Sequence, residues 1–582
     1  MIRAMSAVLL LSLARIGEAG PSLVYHLRHV RAPGSIDWHV AVQVTGLDPA
    51  VRDVLWELPS WGDWSDLGDR YFHDARGEPP IRRVASTPSL LDVDLPPRWD
   101  GTLVLRYRLR LAGPGSPEFR SHPLIPFATD RMALGFTNNT LALPLVSGAR
   151  LSLPRRLLIE APRGWTVTTG FGSPSTDRAD LRLPEEPPAG VVALGRPVEV
   201  GRTVTRAGAL EVVQFGRPPP VASTLLEGTS RLMELYAGST GWSPFESSAA
   251  RVVATDARTF GTAAQHGIHV SLPDLGLDRG ISEPRWRHVA HELFHAWLGW
   301  GLQVEGPLEW FKEGVAEYVA LRSIVALGLA SPVWFALAMD QKLREVADEP
   351  LARTVPFLGA EVAWRSRPEL ESLMYAKGCV LAFHLDVRLR RRGHPGIARL
   401  VGDLRTRAIG RGGALAVDPS DLKLALNAAG LEETVRRHLE GVALPDLDQD
   451  LGSAGFFVRH EATDLTYLGV GLQGGALLFG TVDRLDRSGP AARAGLCPGD
   501  RIFGIAPLRS APAARDSPAL RAAGVEPLGY GMRLFRPGLP VTLDVLRGGQ
   551  KRRIVVTPRL VPGGTVRTVR PRAPLVRRFF AR

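Results

Sequence analysis

The chain has 582 residues, enough for three or four domains with a core each, and its 45% hydrophobic and 22% charged content excludes a chain disordered throughout. Its formal net charge of +12 at pH 7 is almost all arginine, with lysine only at positions 312, 342, 377, 423 and 551; this scatter argues against a nucleic-acid groove. Cys379 and Cys497 fall in segments assigned below to different domains, which excludes a disulfide framework and reads both as small buried apolar residues.

Residues 1–20 read as a secretory signal peptide. Arg3 lies in a short basic region, Ala4 to Ala14 is an apolar run, and Gly17-Glu18-Ala19 places small residues around a cleavage point. A buried first element is the alternative. No later stretch approaches the ~18 uncharged apolar residues of a membrane span. The expectation is a periplasmic or secreted chain with no transmembrane anchor.

From 21 to 218, short runs such as Trp38-His39-Val40-Ala41-Val42-Gln43-Val44 and Thr102-Leu103-Val104-Leu105-Arg106-Tyr107 alternate apolar and polar residues between Gly and Pro breaks. Period two over many short runs predicts strands, here an antiparallel β-sandwich. Pro218-Pro219-Pro220 continues neither helix nor central strand and reads as a stiff connector.

Helical periodicity dominates from 219 to 445, with strands at Arg251 to Thr255 and Gly267 to Leu272, the order of an α+β catalytic domain. Ser282, Glu283 and Pro284 start a helix on which Trp286, Val289, Ala290, Leu293, Phe294 and Trp297 recur at helical spacing, with Gly299 and Gly301 as its end. It carries His291-Glu292-Leu293-Phe294-His295. Imidazoles four residues apart can aim at one metal, with Glu292 beside it. Chance would give H-E-x-x-H in on the order of one or two such chains per hundred. Catalytic zinc usually takes three protein ligands and leaves a position for water. A second helix, from Pro307 to about Leu329, offers Glu313 as the natural third ligand, with Glu305, Glu309 and Glu317 as rivals.

Residues 445 to 455 read as a polar linker. Short strands return over 456–558, clearest at Leu477 to Val482 and Val541 to Leu546, around a Pro-, Ala- and Arg-rich loop, and 559–582 reads as a basic flexible tail.

His291-Glu292-Leu293-Phe294-His295-Ala296-Trp297, Trp310-Phe311-Lys312-Glu313-Gly314 and Tyr375-Ala376-Lys377-Gly378 together resemble the glycyl aminopeptidase family of thermolysin-like zinc metallopeptidases, the gluzincins. The resemblance implies one Zn2+ held by His291, His295 and Glu313, with Glu292 and Tyr375 catalytic. Seventeen residues separate His295 from Glu313, one fewer than in the aminopeptidase N relatives. Gly261-Thr262-Ala263-Ala264-Gln265-His266 resembles the family's segment that binds the substrate N-terminus, with Gln265 where a Glu is usual. An amide can accept a hydrogen bond from an ammonium group without neutralising it, so aminopeptidase and endopeptidase action both stay open. In the last unit, Gly469-Val470-Gly471-Leu472 and Gly489-Pro490-Ala491-Ala492-Arg493-Ala494-Gly495-Leu496-Cys497-Pro498-Gly499-Asp500 resemble a PDZ domain. That implies capture of a C-terminal peptide at the first of these loops.

The fold expected is therefore multidomain α+β: a β-sandwich, a thermolysin-like, mostly helical catalytic domain and a PDZ-like β domain. The function expected is zinc-dependent hydrolysis of peptides or unfolded proteins. The alternative is a PDZ-containing binding or quality-control factor with weak or no peptidase activity. Glu292 argues against it, since a merely structural metal site needs no base.

Overall fold

The computed structural model describes residues 21–32, 35–59, 71–84, 87, 89–116, 119, 125–184, 189–216, 221–256, 262–264, 267–271, 281–347, 356, 371–412, 415–472, 480–506 and 538–581. The signal-like segment, Gln265, His266 and the loop over 507–537 lie outside them. The chain forms two compact units. One comprises Met1–Val204, Gly208–Leu226 and Ser247–Leu275; the other comprises Thr205–Ala207, Glu227–Glu246 and Gly276–Arg582.

The first unit is built from strands. Its six-stranded sheet runs in the order Arg178–Leu183, Arg155–Glu160, Ser22–Ala32, Ser35–Thr45, Leu103–Arg110 and Phe72–Glu78. Alternation works as expected: Trp38, Val40, Val42 and Val44 are buried, His39 is exposed, and Tyr107 hydrogen-bonds the buried carbonyl of Thr140 at 2.7 Å. The all-antiparallel expectation needs correction, because Ser22–Ala32 pairs with Arg155–Glu160 in parallel. That partner arrives after a long excursion through two five-stranded sheets, so no hairpin fixes its direction. A mixed five-stranded sheet follows, in which Phe245–Thr255 pairs in parallel with Gly267–Ser271 and Thr262–Ala264 forms one edge.

The second unit is helical around one central element. We label its helices α1 (Ala222–Thr240, within the unit from Glu227), α2 (Glu283–Phe294), α3 (Glu309–Ala326), α4 (Pro332–Ala347), α5 (Glu371–Arg391), α6 (Ile397–Arg411), α7 (Pro419–Ala428), α8 (Leu447–Ser453) and α9 (Ala573–Ala581). Fourteen of the 18 residues of α3 are buried, because α2, α4, α5 and α9 all touch it. On α2, Trp286, Val289, Ala290, Leu293 and Phe294 form the buried stripe expected from their spacing. Tyr236 of α1 donates to the Ala290 carbonyl at 3.0 Å and meets Phe294 edge-on, seating α2 on α1.

Three expectations fail here. The polar linker contains α8, started by Asp446, whose side chain accepts from the Gln449 amide at 3.0 Å. The basic tail forms the strand Arg559–Pro571, paired antiparallel with Phe456–Tyr467, and then α9. Arg559, Arg570, Arg572, Arg577 and Arg578 are exposed, while Val569, Val576 and Phe580 are buried at strand and helix spacing. Phe580 meets Phe335 edge-on, and the Phe579 carbonyl accepts from Arg322 of α3 at 3.2 Å. Cys497 is exposed, and the neighbouring Leu496 enters the core instead; Cys379 is buried as expected.

Between the paired strands lies a five-stranded sheet in the order Val470–Leu472, Gly480–Leu485, Arg501–Ala506, Val541–Arg547 and Gln550–Val556. Leu468, Val470, Leu496, Ile502 and Leu543 belong to its core. Asp500 is buried and takes both ends of the Arg547 guanidinium at 2.6 Å. Among the described residues no helix is long and apolar enough to cross a membrane.

Candidate active site

Ser282, in extended conformation, and Pro284 set the first turn of α2, and the helix then carries His291 into the interior. Regular α-structure stops at Phe294. A wider turn follows over Ala296–Trp300, broken at Leu298 (φ −121°, ψ 106°) and at Gly299 (φ +128°), a backbone region open in practice to glycine. The break turns the Leu298 carbonyl back to accept from His295 Nδ1 at 3.1 Å. With its proton held at Nδ1, His295 presents the Nε2 lone pair inward.

The two inward nitrogens, His291 Nε2 and His295 Nε2, are 3.1 Å apart. Glu313 Oε2, from the first turns of α3, lies 3.3 Å from the former and 3.2 Å from the latter. These three residues form the one cluster among the described residues able to hold a metal ion. Their separations fit zinc: ligand atoms at ~2.0–2.1 Å in a tetrahedron stand about 3.3 Å from one another. Glu313 Oε2 is buried in no hydrogen-bonding geometry, as an oxygen aimed at a cation would be. Two imidazoles and one carboxylate are also a donor set that suits zinc.

Behind the cluster, Glu317 faces His291 Nδ1 at 3.2 Å and is held by Arg287 and by Lys342, whose Nζ is 3.3 Å away. Burial pushes the Glu317 carboxyl up, but Arg287 and Lys342 outweigh it and hold it well below the usual carboxylate range. Burial likewise opposes a proton on His291, yet contact with Glu313 and Glu317 and the nearby charge of Glu292 raise its pKa to about 10. A cation at the shared point and that proton exclude one another. Burial raises the Glu313 carboxyl too, and the adjacent His295 and His291 overcome it, keeping the group ionised.

Glu292 is buried, with His288 Nδ1 3.9 Å from its Oε1. Burial first, then Arg287, lowers the His288 pKa to about 3, so His288 is neutral. Tyr375, on α5, is half-buried, and its ring stacks over His291 with centroids 5.9 Å apart. Lys377 is buried, and desolvation lowers its pKa to about 8. The helices bearing Glu313 and Tyr375 meet through Gly314 and Gly378: a Cβ on Gly314 would stand 2.3 Å from the Gly378 carbonyl carbon.

The structure thus brings together His291, Glu292, His295, Glu313 and Tyr375. Of the rival carboxylates, Glu317 is behind His291, Glu309 is paired with Lys312, and Glu305 is exposed with its amide bonded to the Val417 carbonyl. The Glu317 group with Arg287 and Lys342 was not foreseen; the one-turn spacing of Glu313 and Glu317 was the only sign of it. Gln265 and His266 fall outside the described residues. Gly469 has φ +81° and precedes the edge strand Val470–Leu472, in which Gly471 pairs with Arg484 and Leu472 with Val482, while the Val470 side chain points into the core.

No family model and no curated protein matches the chain. Solved structures do. An aminopeptidase N family protein from Idiomarina loihiensis superposes with a TM-score of 0.68 over 96% of this chain and 100% of its own, at 15% sequence identity. The chain shares that fold. An M1 zinc metallopeptidase from Deinococcus radiodurans is similar over 74% of this chain and 97% of its own at 19% identity, with a TM-score of 0.48, a likeness too partial to extend the assignment.

Proposed function

We propose that the chain is a zinc-dependent peptidase acting on peptides or unfolded proteins, with one ion held by His291, His295 and Glu313. The observation that carries this reading is the convergence of three ligand atoms 3.1 to 3.3 Å apart, with Glu292 buried on the same helix. When bound, zinc supplies a Lewis acid that polarises the scissile carbonyl and acidifies water toward a pKa of ~7. Glu292 takes the proton of the attacking water and hands it to the leaving amine, acting as base and then as acid. Tyr375 donates a hydrogen bond to the carbonyl oxygen as it gains charge. The fold shared with an aminopeptidase N family protein supports the same chemistry.

Three finer parts belong to this proposal. Gln265 and His266 take the substrate's N-terminal side in glycyl-aminopeptidase-like fashion, with no carboxylate from Gln265, a role that rests on the sequence resemblance alone. Residues 456–558 act as a PDZ domain that engages the substrate at Gly469, Val470, Gly471 and Leu472; among the described residues the strand Val470–Leu472 ends its sheet and can take an added strand. The chain works in the periplasm or outside the cell, after removal of residues 1–20.

The test is metal analysis of the purified protein combined with hydrolysis of one peptide bearing either a free or an acetylated N-terminus. About one zinc per chain and chelator-sensitive cleavage are expected. Absence of both metal and cleavage would sink the reading, and equal rates on the two peptides would exclude a strict aminopeptidase.

A further inference from the structure

Lys312 Nζ lies 3.3 Å from Glu313 Oε1 and 2.5 Å from Glu309 Oε2. The two oxygens of Glu313 are thereby divided: Oε2 meets the imidazoles, and Oε1 meets an ammonium group. Lys312 is no free surface lysine. Its side chain is 25% exposed, and its stem lies beside the helix interruption at Gly299, where an added Cβ would stand 3.4 Å from Lys312 Cδ.

We infer that Lys312 is a positioning residue for the metal site, limiting Glu313 to one ligand oxygen, and that the charge balance between Lys312 and Glu309 sets how tightly the ion is held. The inference rests on the zinc reading above. Two physical arguments carry it. Turning Oε1 toward the ion would break its contact with Lys312, so Glu313 binds through one oxygen and leaves room in the coordination sphere for water and substrate. An ammonium group this close to a ligand oxygen also opposes a dication by simple Coulomb repulsion, which the Glu309 carboxylate offsets. Removing either member of the pair leaves the other's charge acting on the ion, with opposite sign.

The test is zinc affinity, measured on full-length apo protein at neutral pH by competition with a chromophoric chelator, for the wild type, Lys312→Met and Glu309→Gln. Thermal melts report folding. Lys312→Met should bind zinc about tenfold tighter and Glu309→Gln about tenfold more weakly, with the double variant near the wild type. A merely structural role would weaken both. Unchanged affinity in either variant, or shifts of the same sign, overturns the inference while leaving the zinc site in place. A wild type that binds no zinc overturns the zinc reading itself, before any variant is compared. If Lys312→Met does not fold, Lys312→Gln and Glu309→Gln carry the same opposed expectation.

Discussion

Gly314 and Gly378 are in backbone contact: a Cβ on either would come within 3 Å of main-chain atoms of the other's helix. The glycine that follows Glu313 and the glycine three residues after Tyr375 therefore set the distance between the helices bearing those two groups. Gly314→Ala should lower stability by roughly 1–3 kcal/mol through overpacking, despite alanine's better helix propensity. It should also weaken zinc binding, because α3 must shift. Thermal melts with and without zinc check this, and an unchanged melting temperature would contradict the contact.

Glu292→Gln should keep zinc and lose hydrolysis by ~10²–10⁴-fold. The amide fills the same space but cannot take a proton. Zinc content and peptidase rate measured on one preparation decide the point; a variant at the wild-type rate would remove Glu292 from the proposed chemistry.

Glu317→Gln should weaken zinc by ~10–100-fold, the usual effect of losing a carboxylate behind a metal-binding imidazole. It also leaves Arg287 and Lys342, both partly buried, beside a neutral amide. Zinc competition read alongside thermal stability separates the two consequences, since only the first depends on the metal.

His29 supplies a pH dependence remote from the site. It is buried against Trp165 with no hydrogen bond to either ring nitrogen, and burial first, then Arg31, lowers its pKa to about 4. Between pH 6.5 and about 4 the unfolded chain binds this proton and the folded one does not, so stability rises with pH across that window. On the order of 3 kcal/mol should be lost as pH falls through it. His29→Phe should flatten that limb in denaturant titrations at several pH values. An identical slope in the variant would assign the dependence elsewhere.

Phe580→Ala should cost ~3–5 kcal/mol, the usual penalty for emptying a buried aromatic site. Chemical denaturation measures it. A cost below ~1 kcal/mol would mean that α9 contributes little to the helical unit.

How much of this was legible beforehand depended on whether a signal was local. His291, Glu292 and His295 lie within one turn of one helix, and periodicity placed them correctly. Glu313 and Glu317 share a face of α3, so spacing alone could not say which approaches Nε2 and which approaches Nδ1 of His291. Three dimensions were needed. The same holds for Lys312, whose place next to Glu313 in the sequence does not reveal that it lies between Glu309, Glu313 and the turn at Gly299. The basic tail misled for another reason. Its arginines dominate the composition, whereas Val569, Val576 and Phe580, which determine its structure, are few and visible only as spacing. Cys497 was judged by residue type, and its neighbour Leu496 took the buried position.

The pairing of Phe456–Tyr467 with Arg559–Pro571 means that the five-stranded unit leaves the helical body and returns to it along adjacent strands, and α9 then fastens the returning end. Such a unit has two tethers. A single backbone cut inside it would leave both fragments held on the same body by strand pairing and by Phe580, so a nicked chain would migrate as one particle until denatured. Motion of the unit would be bending of a ribbon, not swivelling on one strand of chain.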